Sequence, residues 1–228
     1  MKRFVWVFAF GLFFVLALYN IFSYEYALQG SLESLRNKLK TTATNVSNAI
    51  DAETLLKIPL KTDADKTDEY KTIYNFLLDM KGRLPDIKYI YIMTATDQPG
   101  ILKYVVDADP LPEIATAKGP TAFAGDEYDA RNVPALLDAF KGSAADEEFV
   151  VDDWGATLSG YAPIYDKGKN VVAILGVDMD ASQLHKTREM TQKLLIIVLI
   201  TGIMFLISVV FFCFKAVKAS KEDAEAYS

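Results

Sequence analysis

The chain has almost none of the residues on which thiol and imidazole chemistry depend. Its one cysteine, Cys213, falls in an apolar run, so no disulfide can form within the chain. In an oxidising compartment, hydrophobic packing alone would hold the remainder. Its one histidine, His185, has no cysteine or second histidine at metal-ligand spacing and reads as a solvated surface residue. No Gly-x-x-x-x-Gly-Lys stretch offers a phosphate cradle, and no nucleophile elbow supports a serine triad. The nearest approach to a calcium loop is Asp63-x-Asp65 with Asp68. Asp68 and Tyr74 stand where such a loop needs glycine and glutamate, so helix capping is the plainer reading. Positive charge is also scarce: 24 Lys+Arg face 30 Asp+Glu, a net −6, which opposes nucleic acid as a partner. No cofactor and no enzymatic activity are therefore expected.

Hydrophobic residues, by contrast, make up 51% of the chain and are unevenly spread. Phe4 to Phe22 and Leu194 to Phe214 carry no charge, and each matches a hydrocarbon layer about 30 Å thick. In lipid such runs must be helical, because every backbone N–H and C=O has to be satisfied internally. Lys2 and Arg3 before the first run also suit a cleavable signal peptide. The large residues at its exit (Leu18 to Tyr24) argue instead for an uncleaved anchor, and Tyr19, Tyr24 and Tyr26 suit an interfacial belt. Basic residues lie at both outer flanks, Lys2 and Arg3 at one end and Lys215, Lys218 and Lys221 at the other, placing both termini in the cytoplasm. Between the spans, residues 23–192 hold 18 basic against 27 acidic residues, a net −9. The expected organisation is a stub and first span over 1–23, an extracytoplasmic domain over 24–190, a second span over 191–214 and a cytoplasmic tail over 215–228. A domain of this size can build one core, whereas the tail is too short for an output domain. The chain is thus expected to be the sensor portion of a longer protein or to signal through a cytoplasmic partner.

Within the outer segment the first span continues as a helix. Leu28, Leu32, Leu35, Leu39, Ala43, Val46 and Ile50 form one apolar stripe, with Glu33, Arg36, Lys38 and Lys40 off it. The leucine spacing nearest the membrane predicts a homodimer seam; the plainer reading packs the same stripe on the domain itself. A second helix begins near Asp65–Glu69, buries Tyr70, Ile73, Tyr74, Leu77 and Leu78, and ends by Gly82. The period then changes. Ile87 to Thr94 and Ile101 to Asp107 read as paired strands around the turn Asp97-Gln98-Pro99-Gly100. Residues 108–132 read as a long loop, and Pro134 to Phe140 as a short helix. Glu147 to Val151, Thr157 to Tyr165 and Asn170 to Met179 read as a three-stranded meander, and Ala181 to Lys193 as a helix entering the second span. The fold class is α+β: a five-stranded antiparallel sheet with a long N-terminal helix and helices on one side.

This order between two spans resembles the bacterial extracytoplasmic PAS-like sensor modules called Cache domains. The residues that carry the likeness are Gly125 to Asp129, Pro134 to Gly142, Asp153-Trp154-Gly155, Ser159 to Asp166 and Val171 to Met179. The resemblance implies the input region of a diguanylate cyclase, histidine kinase or chemoreceptor, in the cytoplasmic membrane. It also implies that Asp178, an acidic residue ending the last strand, holds a ligand's amino group. The family's amino-acid-binding version uses an Arg-x-Trp-aromatic element where this chain has Glu127 to Val133 without tryptophan, which counts against an α-amino acid.

The loop of residues 108–132 is long for a compact domain and rich in acidic and aromatic residues, which often marks a binding loop, and the resemblance implies a pocket between it and the sheet. Tyr104, Tyr128, Trp154 and Tyr161 could line an aromatic cage, with Asp129 and Asp178 as carboxylates; each could equally be core packing. Asp126, Glu127 and Asp129 read either as a solvated turn or as hard oxygen ligands. Acidic walls favour a cationic or amine-bearing small molecule, or a metal, over an anion. The competing class is a membrane-anchored assembly protein whose outer domain binds another protein.

Overall fold

The computed structural model describes residues 2–61, 63–108, 122–152 and 155–226. The chain divides into two compact units, residues 31–185 and the pair of segments 1–30 and 186–228.

The smaller unit is made of the outer ends of two long helices, α1 (Lys2–Ser47) and α5 (Ser182–Ala226). Both are long and apolar enough to cross a membrane, over Phe10–Ser47 and Ser182–Lys218. Phe13, Leu16, Phe22, Ile207, Phe211 and Phe212 are all exposed, as lipid-facing side chains would be. The rings of Phe10 and Phe205 stack at 4.0 Å. Gly202 makes this close approach possible, because a Cβ there would run into the ring of Phe14.

The larger unit is the α+β domain. It contains the inner part of α1, then α2 (Ala52–Leu55), a 3-10 turn (Ala64–Lys66) and α3 (Asp68–Arg83). Neither Asp63 nor Asp65 caps α3. Its N-cap is Thr67, whose hydroxyl accepts from the Tyr70 N–H at 3.3 Å, and Asp68 and Glu69 complement the positive end of the helix dipole. Tyr70, Ile73 and Leu77 are buried as the periodicity predicts, while Leu78 faces solvent.

All five expected strands are present. β1 (Ile87–Ala95) pairs with β2 (Ile101–Asp107); β5 (Val150–Asp152), β6 (Gly155–Tyr165) and β7 (Val171–Asp180) form the meander. Two short strands join them: β3 (Glu127–Asp129), inside the expected loop, and β4 (Ala144–Ala145). Every pairing is antiparallel and the order is β3-β2-β1-β7-β6-β4, with β5 also on β6. Strand β5 starts three residues later than expected, because Glu147, Glu148 and Phe149 precede the pairing with β6.

The register sorts side chains onto two faces. Leu158, Gly160, Ala162 and Ile164 of β6 share one face with Leu175 and Val177 of β7 and with Ile90 and Ile92 of β1. Helix α1 lies directly on this face at Gly160, where a Cβ would sit 2.5 Å from the carbonyl carbon of Leu39. Tyr91, Met93, Tyr104, Tyr161 and Ile174 occupy the other face, under Val133, Leu136 and Ala139 of the segment holding α4 (Pro134–Asp138). Helices therefore cover both faces, not one. The stripe on α1 is likewise spent on the domain: Leu32, Leu39, Ala43 and Val46 are buried within the chain, so Leu32 and Leu39 cannot form the expected dimer seam.

Candidate functional site

The domain has a cleft of about 960 Å³ between α1 and the segment of residues 127–151. On the helix side it is lined by Glu33, Arg36, Asn37 and Lys40, which the helical repeat brings to one face. Glu33 accepts from Arg36 Nη1 at 2.8 Å and from Asn37 Nδ2 at 3.2 Å. Arg36 Nε is buried and has no hydrogen-bond partner. The opposite wall is Tyr128, the start of α4 at Val133–Ala135, and the strand edge from Ala144 to Val151.

Asp146 is the deepest residue of that wall, only 3% exposed. Its carboxylate accepts from the Ser159 N–H at 3.0 Å and from the Tyr161 hydroxyl at 3.2 Å. Burial disfavours the charged form and raises its pKa to about 6; the Ser159 and Tyr161 bonds, and then the charge of Arg36, oppose the shift. Burial likewise pushes the Tyr161 hydroxyl well above its ordinary value, with the Asp146 charge adding to it.

Asp178 lies opposite Tyr89 on β1 and Ser159 on β6. It accepts from the Tyr91 hydroxyl at 3.1 Å. The ring of Tyr91 can lie flat across β7 because Gly176 has no Cβ; one placed there would be 2.5 Å from the ring. Tyr91 meets Tyr104 edge-on at 5.8 Å, and Tyr104 meets Tyr128 edge-on at 6.3 Å. The sheet thus carries a chain of tyrosines leading from the buried Asp178 to Tyr128 at the cleft.

Of the six residues singled out from sequence, Tyr104, Tyr128, Tyr161 and Asp178 come together around this face. Asp178 does not end its strand, since β7 runs on to Asp180. Asp129 lines the cleft but is turned to Arg131, which donates to it from Nε at 2.8 Å, from Nη2 and from its backbone N–H. Those bonds lower its pKa to about 2. Trp154 and residues 109–121 of the expected pocket loop lie outside the described residues. Asp126 accepts from the Phe123 N–H at 2.8 Å and Glu127 pairs with Lys103 at 3.5 Å, so the acidic run is a solvated, self-satisfied turn. Among the described residues, no three His, Cys, Asp or Glu side chains gather as metal ligands. His185 is half-buried, with its ring edge-on to Phe149 at 5.8 Å, rather than a free surface residue.

Two lining residues escaped the sequence reading. Arg36 sits off the apolar stripe and looks solvated. Asp146 stands in the polar run Asp146-Glu147-Glu148, with no local sign that the first of the three is buried.

No protein-family model and no curated protein matches the chain. Solved structures do. The ligand-binding domain of the Campylobacter jejuni chemoreceptor Tlp3, in complex with L-valine, is 12% identical with a TM-score of 0.45, covering 70% of this chain and 58% of that one. The sensor domain of the V. cholerae histidine kinase DctB is 12% identical with a TM-score of 0.46, covering 80% and 58%. The periplasmic sensory domain of the C. jejuni chemoreceptor Tlp1 is 12% identical with a TM-score of 0.38, covering 75% and 61%. The chain spans about three-fifths of the length of each. Two come from chemoreceptors and one from a histidine kinase.

Proposed function

We propose that the chain is a receptor input module that binds a small ligand in the cleft between α1 and residues 127–151. It then passes a conformational signal across the membrane to a cytoplasmic output domain or partner. The observation that carries this reading is the cleft itself. One of its walls is a face of α1, and the same helix is continuous with an apolar segment long enough to span a bilayer. A ligand held there touches an element able to transmit a shift. In this reading residues 24–190 are extracytoplasmic, the spans lie within 1–23 and 191–214, and the tail is cytoplasmic. The module works in the bacterial inner membrane as a homodimer whose seam excludes Leu32 and Leu39. Tyr128 lines the cleft with Asp129 at its rim, and Tyr104, Tyr161 and Asp178 support the site from behind. The acidic mouth favours a cationic or amine-bearing ligand.

A thermal-shift screen of the full chain in lipid nanodiscs tests the reading. Binding at a hundredfold excess over Kd stabilises by about 2.7 kcal/mol, a readable rise in Tm. One ligand class should give it, and Ala135→Trp, which puts an indole into the cleft that Ala135 lines, should weaken it. A protein-binding scaffold would respond to none.

Membrane orientation is testable separately. A cysteine at Lys141, whose side chain is 81% exposed, should be labelled from outside intact cells, and one at Lys218 should not. Asp107 would be a poor probe because it is buried. Labelling in the reverse pattern would end the proposed topology.

A further inference from the structure

We infer that Asp146 is the anchor of the cleft, taking the cationic nitrogen of a small organic amine whose apolar body lies against Tyr128, Val133, Pro134, Phe149 and Val150. This rests on the cleft being the ligand site, and adds to it the residue and the chemical class. Among the described residues, the buried polar side chains are Ser47, Asp107, Asp146, Thr157, Ser159 and Asp178, and only Asp146 lines the cleft. A carboxylate has about four lone-pair sites; the Ser159 N–H, the Ser159 hydroxyl and the Tyr161 hydroxyl occupy three of them, and none of these donors is charged.

The protein brings a compensating cation near but does not bond it. Arg36 acts on Asp146 through its charge, yet its Nη1 is given to Glu33 and its buried Nε has no acceptor. An ammonium group entering the cleft would supply the hydrogen-bonded positive charge that the buried carboxylate lacks. The surroundings select for the same sign. Of the carboxylates that edge the cleft, Glu33, Glu127, Asp129 and Asp138 are paired with Arg36, Lys103, Arg131 and Lys141, and Glu147 and Glu148 add negative charge beside Asp146, which disfavours an anion. The aromatic and aliphatic side chains beside Asp146 suit one cationic nitrogen on a hydrophobic body, with Tyr128 and Phe149 able to face the cation.

The experiment is calorimetric titration of the full chain in lipid nanodiscs. The amine probes are 2-phenylethylamine, tyramine and n-hexylamine; 3-phenylpropionate serves as a probe of similar shape and opposite charge. At least one amine should bind and the carboxylate should not. Asp146→Asn should weaken the amine at least tenfold. In the unsubstituted protein, amine affinity should fall about tenfold per pH unit below the Asp146 pKa of about 6, while Asp146→Asn shows a flat profile. A merely structural Asp146 would not produce that pH dependence. Because it needs no variant, the measurement decides even where Asp146→Asn fails to fold. Failure of all three amines, or equal affinity in Asp146→Asn with a flat pH profile, overturns the assignment. If 3-phenylpropionate binds instead and Ala135→Trp blocks it, the anchor is wrong while the cleft reading stands. If Ala135→Trp leaves every bound probe unaffected, both fall.

Discussion

Gly160→Ala should destabilise the α+β domain by about 3 kcal/mol, at the upper end of what overpacking costs. The added methyl would sit 2.5 Å from the Leu39 carbonyl carbon and 2.7 Å from its carbonyl oxygen. These are backbone atoms in the middle of a long helix, so no rotamer change relieves the clash. Either α1 lifts from the sheet or β6 bends, and both expose Leu39, Ala43 and the Leu158 face that now exclude water. Gly82→Ala is the control, because nothing lies within 4 Å of a Cβ there. In the last turns of α3 it should be neutral or stabilising by up to about 1 kcal/mol. Urea denaturation of the two variants measures the contrast. Similar midpoints would mean that α1 does not rest on β6 as described.

The second large effect is one of pH, and its sign is opposite to ordinary acid denaturation. Burial raises Asp146 from 3.8 to about 6, so the folded chain binds this proton more readily than the unfolded one. Stability therefore rises as pH falls through the window from about 6 to 3.8, and the cost of holding the charge is fully present above it. At about 1.36 kcal/mol per unit, that cost is on the order of 3 kcal/mol at neutral pH. Asp51, Asp129, Asp166 and Asp180 have lowered values and act in the opposite sense. Their stabilisation is complete above 3.8 and is lost only below it, so the two windows separate. Asp146→Asn keeps a side-chain oxygen that can accept from Ser159 and removes the charge. It should raise Tm at pH 7 and flatten the dependence between pH 4 and 6. Parallel curves for the two proteins would refute the burial of Asp146 as an ionisable group.

Both predictions turn on contacts between segments far apart in the chain, and this is where the sequence stops being legible. The apolar runs at either end, the strands Ile101–Asp107 and Ile87–Ala95, and the α3 residues Tyr70, Ile73 and Leu77 follow from local hydropathy and periodicity. Such patterns record which face of an element is buried. They do not record what buries it, so Leu32 and Leu39 read equally well as a dimer seam or as core until α1 is seen on β6. The same limit hides the candidate site. Asp146 is buried because the neighbouring pair Ala144–Ala145 joins β6 beside Tyr161 and Gly160, and Arg36 faces it only because α1 crosses that edge. Local composition determined the two long apolar helices, the strands and the acidic character of the chain. Tertiary packing alone decided which few of many carboxylates lost their water and that Asp146 among them lines the cleft, since desolvation depends on neighbours that the linear order does not place side by side.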